Sequence, residues 1–425
     1  MKTTELLSYV RNGALDARLE DIYGEENVSA QRERYAESVE SFLDLYGERE
    51  VSLFSVAGRS EISGNHTDHN HGRVLAGSIN LDIIAVASKS DDSKIRIKSK
   101  GFDEDCVDIS AYTEPNEADF FKSGALIAGM ARAFNDNGLK TGGYVAYTTS
   151  NVFKGSGLSS SAAFEVMIGN ILNYFYNDGA VDNVEIAKMA QFAENKFFGK
   201  PCGLMDQVAC AVGGFVAIDF ENPTAPVIDK IAFDLSSAGY ALCIVNTGGN
   251  HADLNDDYAS VPAEMKSVAK YFGCNVLREM SLDKLLGDIS GAREALGDRA
   301  VLRAIHFFNE NERVSAQKQA LLDGKIDTFF DLVLRSGRSS FMYLQNVFTT
   351  KNVGEQGLSL ALALTDKTLG ARGAFRVHGG GFAGTIQAFV PHDMVEEYRE
   401  VIDSAFGKGA CHVLRIRKYG AIKVQ

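Results

Sequence analysis

The sequence predicts an α+β protein built from two lobes. The chain is 425 residues long, which is more than a single compact core usually holds. Segments with strand alternation and segments with helical periodicity are mixed along it, without the regular strand–helix repeat of a doubly wound sheet. Hydrophobic residues make up 45% of the chain and charged residues 23%, as is typical of globular proteins. We therefore expect an active site in the cleft between two lobes.

The first part of the chain begins with helix-forming sequence and continues as strands. Residues 4–46 are charged and helix-prone, and Val51-Ser52-Leu53-Phe54-Ser55-Val56 alternates as a half-buried strand does. Further strands are predicted over 74–88, 94–100 and 142–149, with helices over 118–135 and from about 158.

The second part of the chain mixes long helices with a few strands. Helices are predicted over 184–198, 261–272, 299–322 and 393–406, and strands over 240–247, on both sides of a triple glycine in 375–390, and around 413–416. No internal repeat and no low-complexity linker interrupts the chain. We expect lobes at 1–190 and 191–412, with the tail of about 413–425 returning to the first lobe.

The charge and the cysteines limit the possible partners and compartment. The net charge of -13 and the pI near 5.2 argue against nucleic acid or an anionic membrane, since both would need a basic face. The six cysteines form no C-x-x-C pair, which favours reduced thiols over a disulfide or zinc framework. No apolar segment approaches membrane-spanning length. We expect a cytoplasmic protein that is a monomer or a weak homodimer.

A glycine- and serine-rich loop follows the strand predicted at 142–149. It reads Lys154-Gly155-Ser156-Gly157-Leu158-Ser159-Ser160-Ser161 and opens a helix. Such a loop can direct backbone N–H groups and the helix dipole at phosphate, and its serine hydroxyls can hold magnesium or phosphate oxygens. It is neither a Walker A loop nor G-x-G-x-x-G. A serine-rich N-cap after an ordinary turn is the alternative.

A dense polar segment follows the strand at 51–56. It runs from Gly58-Arg59 through Asn65-His66-Thr67-Asp68-His69-Asn70-His71, and such groups can hydrogen-bond several sugar hydroxyls at once. The histidines and Asp68 could instead bind zinc, but side chains at consecutive positions cannot all turn to one tetrahedral centre. A polar loop with satisfied histidines is the stronger alternative.

Two further segments combine glycine with polar residues. His378-Gly379-Gly380-Gly381-Phe382-Ala383-Gly384 lies between apolar strands and has more glycine than a simple hairpin needs. Gly199 to Gln207 follows the helix that carries Glu194, and it contains Asp206. The first segment could be a flexible hairpin tip, and the second could use its Asp only as a cap or Asx turn.

These four segments together resemble one family, the GHMP small-molecule kinases, and within it the galactokinases. Gly58 to Asn70 is similar to the galactokinase sugar signature, and Gly155 to Ala162 to the phosphate loop of the family. Val377 to Gly384 resembles its third, glycine-rich motif, and Gly199 to Gln207 the turn with the catalytic aspartate. The resemblances occur in family order over residues 56–390.

The resemblance implies a two-lobed GHMP kinase fold that uses ATP and Mg²⁺ to phosphorylate the anomeric hydroxyl of galactose. Asp206 would be the catalytic carboxylate and Arg59 the cation that orients it. Implied sugar contacts are Arg59, Asn65, His66, Asp68, Gly203, Asp206 and Tyr258. Implied nucleotide contacts are Lys154, Gly155, Ser156, Gly157, Leu158, Ser159, Ser160 and Ser161. Ser161 and Glu194 would hold magnesium.

The chain departs from the galactokinase pattern at several positions. Glu61 stands where Asn is usual, and Asn65 stands where a Glu is expected to accept a hydrogen bond from the far end of the sugar. Lys154 replaces an apolar residue, and residues 339–347 lack the Pro-Glu-Leu-Asp segment. An Asn amide at position 65 could donate to an altered C6 group, so galacturonate is an alternative substrate. A catalytically silent sugar-binding regulator is an alternative from a different class.

Overall fold

The computed structural model describes residues 1–152, 158–249 and 254–425. These residues form two compact units, each assembled from separate stretches of chain. The first unit comprises Met1–Arg59, Ser78–Gly214 and Arg417–Gln425, and the second comprises Ser60–Gly77 and Phe215–Ile416. The division that we predicted, after residue 190, differs from this one: residues 60–77 belong to the second unit and residues 191–214 to the first.

The helices alternate irregularly with the strands along the chain, as expected for an α+β fold. The α-helices are α1 Thr3–Arg11, α2 Asp16–Tyr23, α3 Val28–Tyr46, α4 Ser123–Asp136, α5 Ser160–Tyr176, α6 Asn183–Phe192, α7 Met205–Val212, α8 Asn255–Tyr271, α9 Leu282–Gly287, α10 Ile289–Leu296, α11 Asp298–Leu322, α12 Ile326–Ser339, α13 Gly357–Leu369 and α14 Val395–Phe406. Two π-helical segments, Ala193–Phe198 and Ser340–Leu344, continue α6 and α12.

The strands contribute to two sheets. In chain order they are β1 Ser52–Ser63, β2 Arg73–Lys89, β3 Lys94–Ser99, β4 Glu104–Asp108, β5 Tyr144–Ser150, β6 Phe215–Asp219, β7 Val227–Ile231, β8 Tyr240–Asn246, β9 Ala374–His378, β10 Thr385–Pro391, β11 Cys411–Leu414 and β12 Ala421–Lys423.

The sheet of the first unit has the order β12-β1-β2-β5-β3-β4. The C-terminal strand β12 pairs antiparallel with β1, so that Phe54 lies opposite Lys423. Strand β5 pairs antiparallel with β2 and parallel with β3. Helices α1 to α3 cover one face of this sheet, where Leu6, Val39 and Phe42 pack in one core with Val86.

The second unit contains an antiparallel four-stranded sheet with the order β11-β8-β10-β9. Side chains from this sheet, such as Val245 and Ile386, share a core with Leu358 of α13 and Tyr398 of α14. A separate core joins α8, α10 and α11. Within the same unit, the first residues of β2 pair with β6, and β6 pairs with β7.

The predicted helix over 184–198 forms, but its last part is π-helical. Helix α6 ends at Phe192, and the π-helical segment Ala193–Phe198 carries the chain on to Gly199, which adopts φ +78°. Short π-helical insertions often occur at functional sites, because they rotate side chains out of the regular helical pattern. This one contains Glu194.

A buried carboxylate connects three parts of the first unit. Asp82 on β2 is fully buried and accepts hydrogen bonds from Arg34 of α3 (2.6 Å), Arg417 of the C-terminal tail (3.0 Å) and Tyr23 (2.5 Å). Burial alone would raise the pKa of Asp82, but the charges of Arg34 and Arg417 hold it below its ordinary value. Asp82 is therefore charged at neutral pH and fixes the N-terminal helices and the C-terminal tail to the sheet.

We predict that Asp82→Asn lowers the free energy of unfolding by about 3–5 kcal/mol, because it leaves two guanidinium groups without their buried counter-charge. Because the pKa of Asp82 is lowered by folding, the wild type should lose this stabilisation as the pH falls through that lowered pKa, and the variant should lose less. Urea unfolding at several pH values measures both effects. The control is Asp136→Asn, which removes half of a surface ion pair with Arg132 and should change little. Equal effects of the two substitutions would contradict this role of Asp82.

Candidate active site

The two residues predicted to be catalytic form a direct ion pair in the first unit. Arg59 lies on β1, and Asp206 is the second residue of α7. Nε of Arg59 is 2.7 Å from Oδ1 of Asp206, and Nη2 is 2.8 Å from Oδ2. This two-pronged geometry is the strongest arrangement available to a guanidinium and a carboxylate. It holds the plane of the carboxylate in one orientation.

The ion pair sets the charge of Asp206. Burial by itself would raise the pKa of Asp206, but the positive charge and hydrogen bonds of Arg59 lower it below its ordinary value, with further help from Ser159. The side chain of Arg59 is almost buried, whereas that of Asp206 remains 33% exposed. An oriented, ionised and accessible carboxylate can accept a hydrogen bond from a hydroxyl group.

The start of helix α5 contacts the same carboxylate. The hydroxyl of Ser159, which precedes α5, donates to Oδ2 of Asp206, and Ser159 adopts the left-handed conformation with φ +57°. The backbone N–H of Arg59 donates to the carbonyl of Leu158 at 3.2 Å. The hydroxyl-bearing Ser160 and Ser161 are the first two residues of α5. Of the predicted phosphate loop, Lys154, Gly155, Ser156 and Gly157 lie outside the described residues.

A second, buried carboxylate lies beside this group of residues. Glu194 is 2% exposed; its Oε1 accepts from Lys200 at 2.9 Å and its Oε2 from Gln207 at 2.8 Å. The same amide nitrogen of Gln207 is 3.2 Å from Oε2 of Glu165 on α5. Burial and then the charge of Glu194 raise the pKa of Glu165 well above its ordinary value. Among the described residues, Oε1 of Glu165 has no hydrogen-bond partner.

These oxygen atoms suit magnesium. The carboxylate of Glu194 and the hydroxyl of Ser161 are hard oxygen ligands, and magnesium usually takes only one or two such protein ligands together with water and phosphate oxygens. Oε1 of Glu165 has no hydrogen-bond partner among the described residues, but the raised pKa of Glu165 favours its neutral form, so it adds an oxygen atom and no charge. Among the described residues no cluster of three histidine, cysteine or acidic side chains could hold a metal alone, so a metal here would need ligands from the nucleotide or from water.

Residues 64–71 of the polar segment predicted to bind sugar lie in a loop of the second unit, whereas residues 58–63, which were expected to follow the strand, are still part of β1. The loop connects β1 to β2 and contacts the glycine-rich hairpin between β9 and β10. Nε2 of His66 is 2.9 Å from the carbonyl of Gly380, so Nε2 carries the hydrogen and Nδ1 can accept. Desolvation of the ring lowers the pKa of His66 to about 4, so the ring is neutral at neutral pH. Asp68 lies two residues after His66 and keeps 23% of its side chain exposed.

Tyr258 supports the same hairpin from α8. Its hydroxyl donates to the carbonyl of Gly381 at 2.9 Å, and its ring packs edge-on against Phe382 with 5.5 Å between ring centroids. A Cβ atom at Gly380 would lie only 2.5 Å from the Tyr258 ring. The glycines of the third motif therefore permit close approach of side chains to the hairpin backbone, and Tyr258 fixes the hairpin.

Asn65 does not present its amide as the sequence led us to expect. The side chain is 1% exposed, and its amide nitrogen donates to Glu61 and to the carbonyl of Gly379, at 3.0 Å and 2.7 Å. Its Oδ1 accepts from Asn346 at 2.7 Å. Since both ends of the amide are bonded within the unit, the expected donation from Asn65 to a sugar C6 group has no support in this conformation.

The structure thus brings the predicted residues together in two groups. The first unit contains Arg59, Asp206, Leu158, Ser159, Ser160, Ser161, Glu194 and Gly203, and the second contains Asn65, His66, Asp68 and Tyr258. Gly203 is exposed in the turn before α7. Reasoning from sequence assigned no role to Glu165, Lys200 or Gln207. Glu165 could have been noticed because it lies four residues after Ser161, on the same face of α5.

The state of the cysteines and the length of the apolar helices can be compared with what the sequence led us to expect. All six cysteines are free thiols. In the part of the chain that the structure describes, no helix combines the length and the apolar character needed to cross a bilayer.

Comparison with known proteins places these features in a family. A model of the GHMP kinases N terminal domain matches residues 123–214, and a model of the galactokinase galactose-binding signature matches residues 40–89. The crystal structure of Lactococcus lactis galactokinase complexed with galactose superposes with a TM-score of 0.76 at 23% identity, over 92% of this chain and 99% of that one. The Methanococcus jannaschii mevalonate kinase gives a TM-score of 0.59 at 14% identity, over 86% and 98%. At these identities the superpositions show the fold, which is that of the GHMP kinases.

Sequence relatives define the family more narrowly. The galactokinase of Actinobacillus pleuropneumoniae is 30% identical over 378 residues, which cover 87% of this chain and 93% of that protein. The galactokinase of Streptomyces coelicolor is 30% identical over 382 residues, or 89% and 94% of the two chains. The chain belongs to the galactokinase family. The predicted α+β fold and the predicted family are both confirmed.

We predict that Arg59→Gln raises the pKa of Asp206, since the adjacent positive charge of Arg59 is what lowers this carboxyl pKa against the effect of burial. The glutamine retains hydrogen-bonding groups but carries no charge. A ¹³C NMR titration of the Asp206 carboxyl group measures the change directly. Arg132→Gln, on the surface of α4, is the control and should leave the titration unchanged. An Asp206 pKa that is equal in both variants would show that Arg59 does not set its charge.

Proposed function

We propose that the protein transfers the γ-phosphoryl group of ATP to the anomeric hydroxyl of galactose. The observation that carries this proposal is the two-pronged Arg59–Asp206 pair, in a chain of the galactokinase family. Phosphoryl transfer through a loose transition state needs mainly positioning and charge neutralisation. An oriented carboxylate next to a fixed cation supplies both.

Asp206 acts by accepting a hydrogen bond from the sugar hydroxyl. Because its pKa is below the ordinary value, Asp206 is a weak base in the resting state, and we infer that it receives the proton late, as the new O–P bond forms. Arg59 then keeps the carboxylate aligned and offsets negative charge nearby. His66 and Asp68 are proposed to bind other sugar hydroxyls, and Tyr258 to support the hairpin next to them.

ATP is proposed to bind at the start of α5, next to Leu158 and Ser159, which directly precede the helix, and to Ser160 and Ser161, which begin it. Magnesium, when bound, would neutralise the phosphate oxygens. Ser161 and Glu194 are the proposed protein ligands. Lys200 and Gln207 hold the Glu194 carboxylate. The first-turn N–H groups of an α-helix lack intrahelical partners, so those of α5 can face phosphate.

The alternatives receive less support. A galacturonate kinase was suggested by the free amide expected at Asn65, but that amide is bonded to Glu61 and Gly379. A silent regulator would not need Arg59 and Asp206 as an aligned pair beside Glu194. We also propose a cytoplasmic location, which suits an ATP-dependent enzyme with six free thiols.

The proposed substrate is tested by ATP consumption over a panel of hexoses, hexuronates and N-acetylhexosamines. We expect the highest kcat/KM for galactose. A higher kcat/KM for galacturonate, or no turnover with any sugar, would contradict the proposed function.

We predict that Asp206→Asn lowers kcat about 10²–10⁴-fold while galactose affinity changes little. The amide can still contact the hydroxyl but cannot accept its proton, and a positioned proton acceptor usually contributes a factor of this size. Steady-state kinetics together with calorimetric sugar binding separate the two effects. Asp136→Asn on the surface is the matched control. Near-normal kcat in Asp206→Asn would remove Asp206 from the mechanism.

We predict that Glu194→Gln raises the magnesium concentration needed for half-maximal rate about tenfold or more, with little change in galactose binding. The amide keeps the size of the side chain but removes the negative charge that a divalent cation requires. Mn²⁺ affinity of the ATP complex, measured by electron paramagnetic resonance, gives a readout independent of turnover. If only the galactose KM rose, the metal role of Glu194 would be wrong.

A further inference from the structure

A buried amide and a buried carboxylate meet in the second unit, next to the proposed sugar-binding loop. The amide nitrogen of Asn65 has two hydrogens, and each has an acceptor: Oε1 of Glu61 at 3.0 Å and the carbonyl of Gly379 at 2.7 Å. Oδ1 of Asn65 accepts from the amide nitrogen of Asn346 at 2.7 Å. The bonding fixes which end of the Asn65 amide is nitrogen, because both neighbours of that end can only accept.

The backbone around Asn65 is held as well. Its carbonyl accepts from Nε2 of His306 on α11 at 3.0 Å, so the residue is fixed through both its side chain and its main chain. His66 follows directly and bonds the carbonyl of Gly380. Asn65 and His66 together therefore attach the loop to two successive carbonyls of the glycine-rich hairpin.

Glu61 has a charged neighbour on its other side. Nη2 of Arg376 on β9 is 3.8 Å from Oε1 of Glu61, and the Arg376 side chain is fully buried, with its Nη1 donating to the carbonyl of Ile62 at 3.2 Å. The guanidinium favours a negative charge at position 61. The guanidinium therefore favours the carboxylate at position 61 and the amide at position 65.

We propose that Glu61 and Asn65 act as a positioning pair for sugar recognition. In this pair the Glu61 carboxylate fixes the Asn65 amide, and the amide holds the loop with His66 and Asp68 against the glycine-rich hairpin. Neither residue contacts the sugar itself. The proposal rests on the proposed galactose kinase function and identifies residues on which sugar affinity depends.

The hydrogen bonds between positions 61 and 65 depend on which of the two positions carries the carboxylate and which carries the amide. A carboxylate at position 65 would place oxygen against the Glu61 carboxylate and against the carbonyl of Gly379. Like charges and unpaired acceptors at these distances are costly in a buried site. A carboxylate at both positions leaves two acceptors facing each other, whereas an amide at either position supplies the donor between them.

A double-mutant cycle of Glu61→Gln and Asn65→Asp tests the proposal with substitutions of nearly equal size. Glu61→Gln retains an acceptor, and we expect at most about a fivefold rise in the galactose dissociation constant. Asn65→Asp loses both donors, and we expect a rise of about 30-fold or more. In the double variant the new amide at position 61 can donate to the new carboxylate at position 65. We therefore expect galactose to bind at least about fivefold more tightly than the product of the two single effects would give.

The readouts separate positioning from general stability. Galactose affinity is measured by calorimetry, since the chain has no tryptophan, and the KM of ATP and the Tm are measured on the same samples. We expect a change in galactose affinity with an ATP KM within about twofold of wild type. If Asn65→Asp fails to fold, Asn65→Ser, which removes the amide donors without adding charge, replaces it, and we expect weaker galactose binding that Glu61→Gln does not restore.

Three results would overturn the proposal: unchanged galactose affinity in Asn65→Asp, strict additivity in the cycle, or equal losses of galactose and ATP affinity with a lower Tm. Asn222→Asp, in an exposed turn of the same unit, is the matched control and should resemble wild type. If the wild type prefers another sugar of the panel, the cycle is measured with that sugar. In that case galactose is wrong as the proposed substrate, and the cycle still tests the roles of Glu61 and Asn65 in positioning.

Discussion

The ion pair between Arg59 and Asp206 is the interaction on which the proposed chemistry depends. An aspartate in this partly desolvated position would tend to take up a proton, and the two-pronged contact with Arg59 keeps it ionised and oriented. Gln207 follows Asp206 on α7 and holds the Glu194 carboxylate. One short helix thus fixes both carboxylates, so the proposed proton acceptor and the proposed metal ligand are positioned by the same element.

Close backbone approach is the corresponding constraint in the second unit. Gly381 has φ +82°, and a Cβ atom there would overlap the carbonyl oxygen of Asn346. Only glycine permits this packing. Asn346 in turn bonds Asn65, so the hairpin, the polar loop and the segment after α12 form one hydrogen-bonded assembly. This assembly would give the proposed sugar-binding loop the rigidity needed to discriminate among hydroxyl groups of different orientation.

Much of the fold was readable in the sequence because periodicity and glycine clusters are local signals. The strand at 51–56, the helix at 299–322 and the α+β class are confirmed by β1, α11 and the fold comparison. The division into units was not readable, since residues 60–77 join the second unit through long-range contacts. The same reason explains Asn65: its pattern suggested a free donor, but Gly379 and Asn346, which lie 314 and 281 residues away in sequence, already bond the amide. Lys200 lies next to Glu194 in the structure, but nothing in the sequence around Lys200 indicates this contact.

In the proposed mechanism the position of phosphorylation depends on how Arg59 and Asp206 hold the acceptor hydroxyl, so this position is the decisive measurement. Galactose labelled with ¹³C at C1 would be incubated with the protein, ATP and Mg²⁺, and the product examined by NMR. We predict that the labelled carbon acquires a coupling to ³¹P, because the new ester forms on the anomeric oxygen. A phosphorylated product whose C1 shows no such coupling would contradict the proposed mechanism.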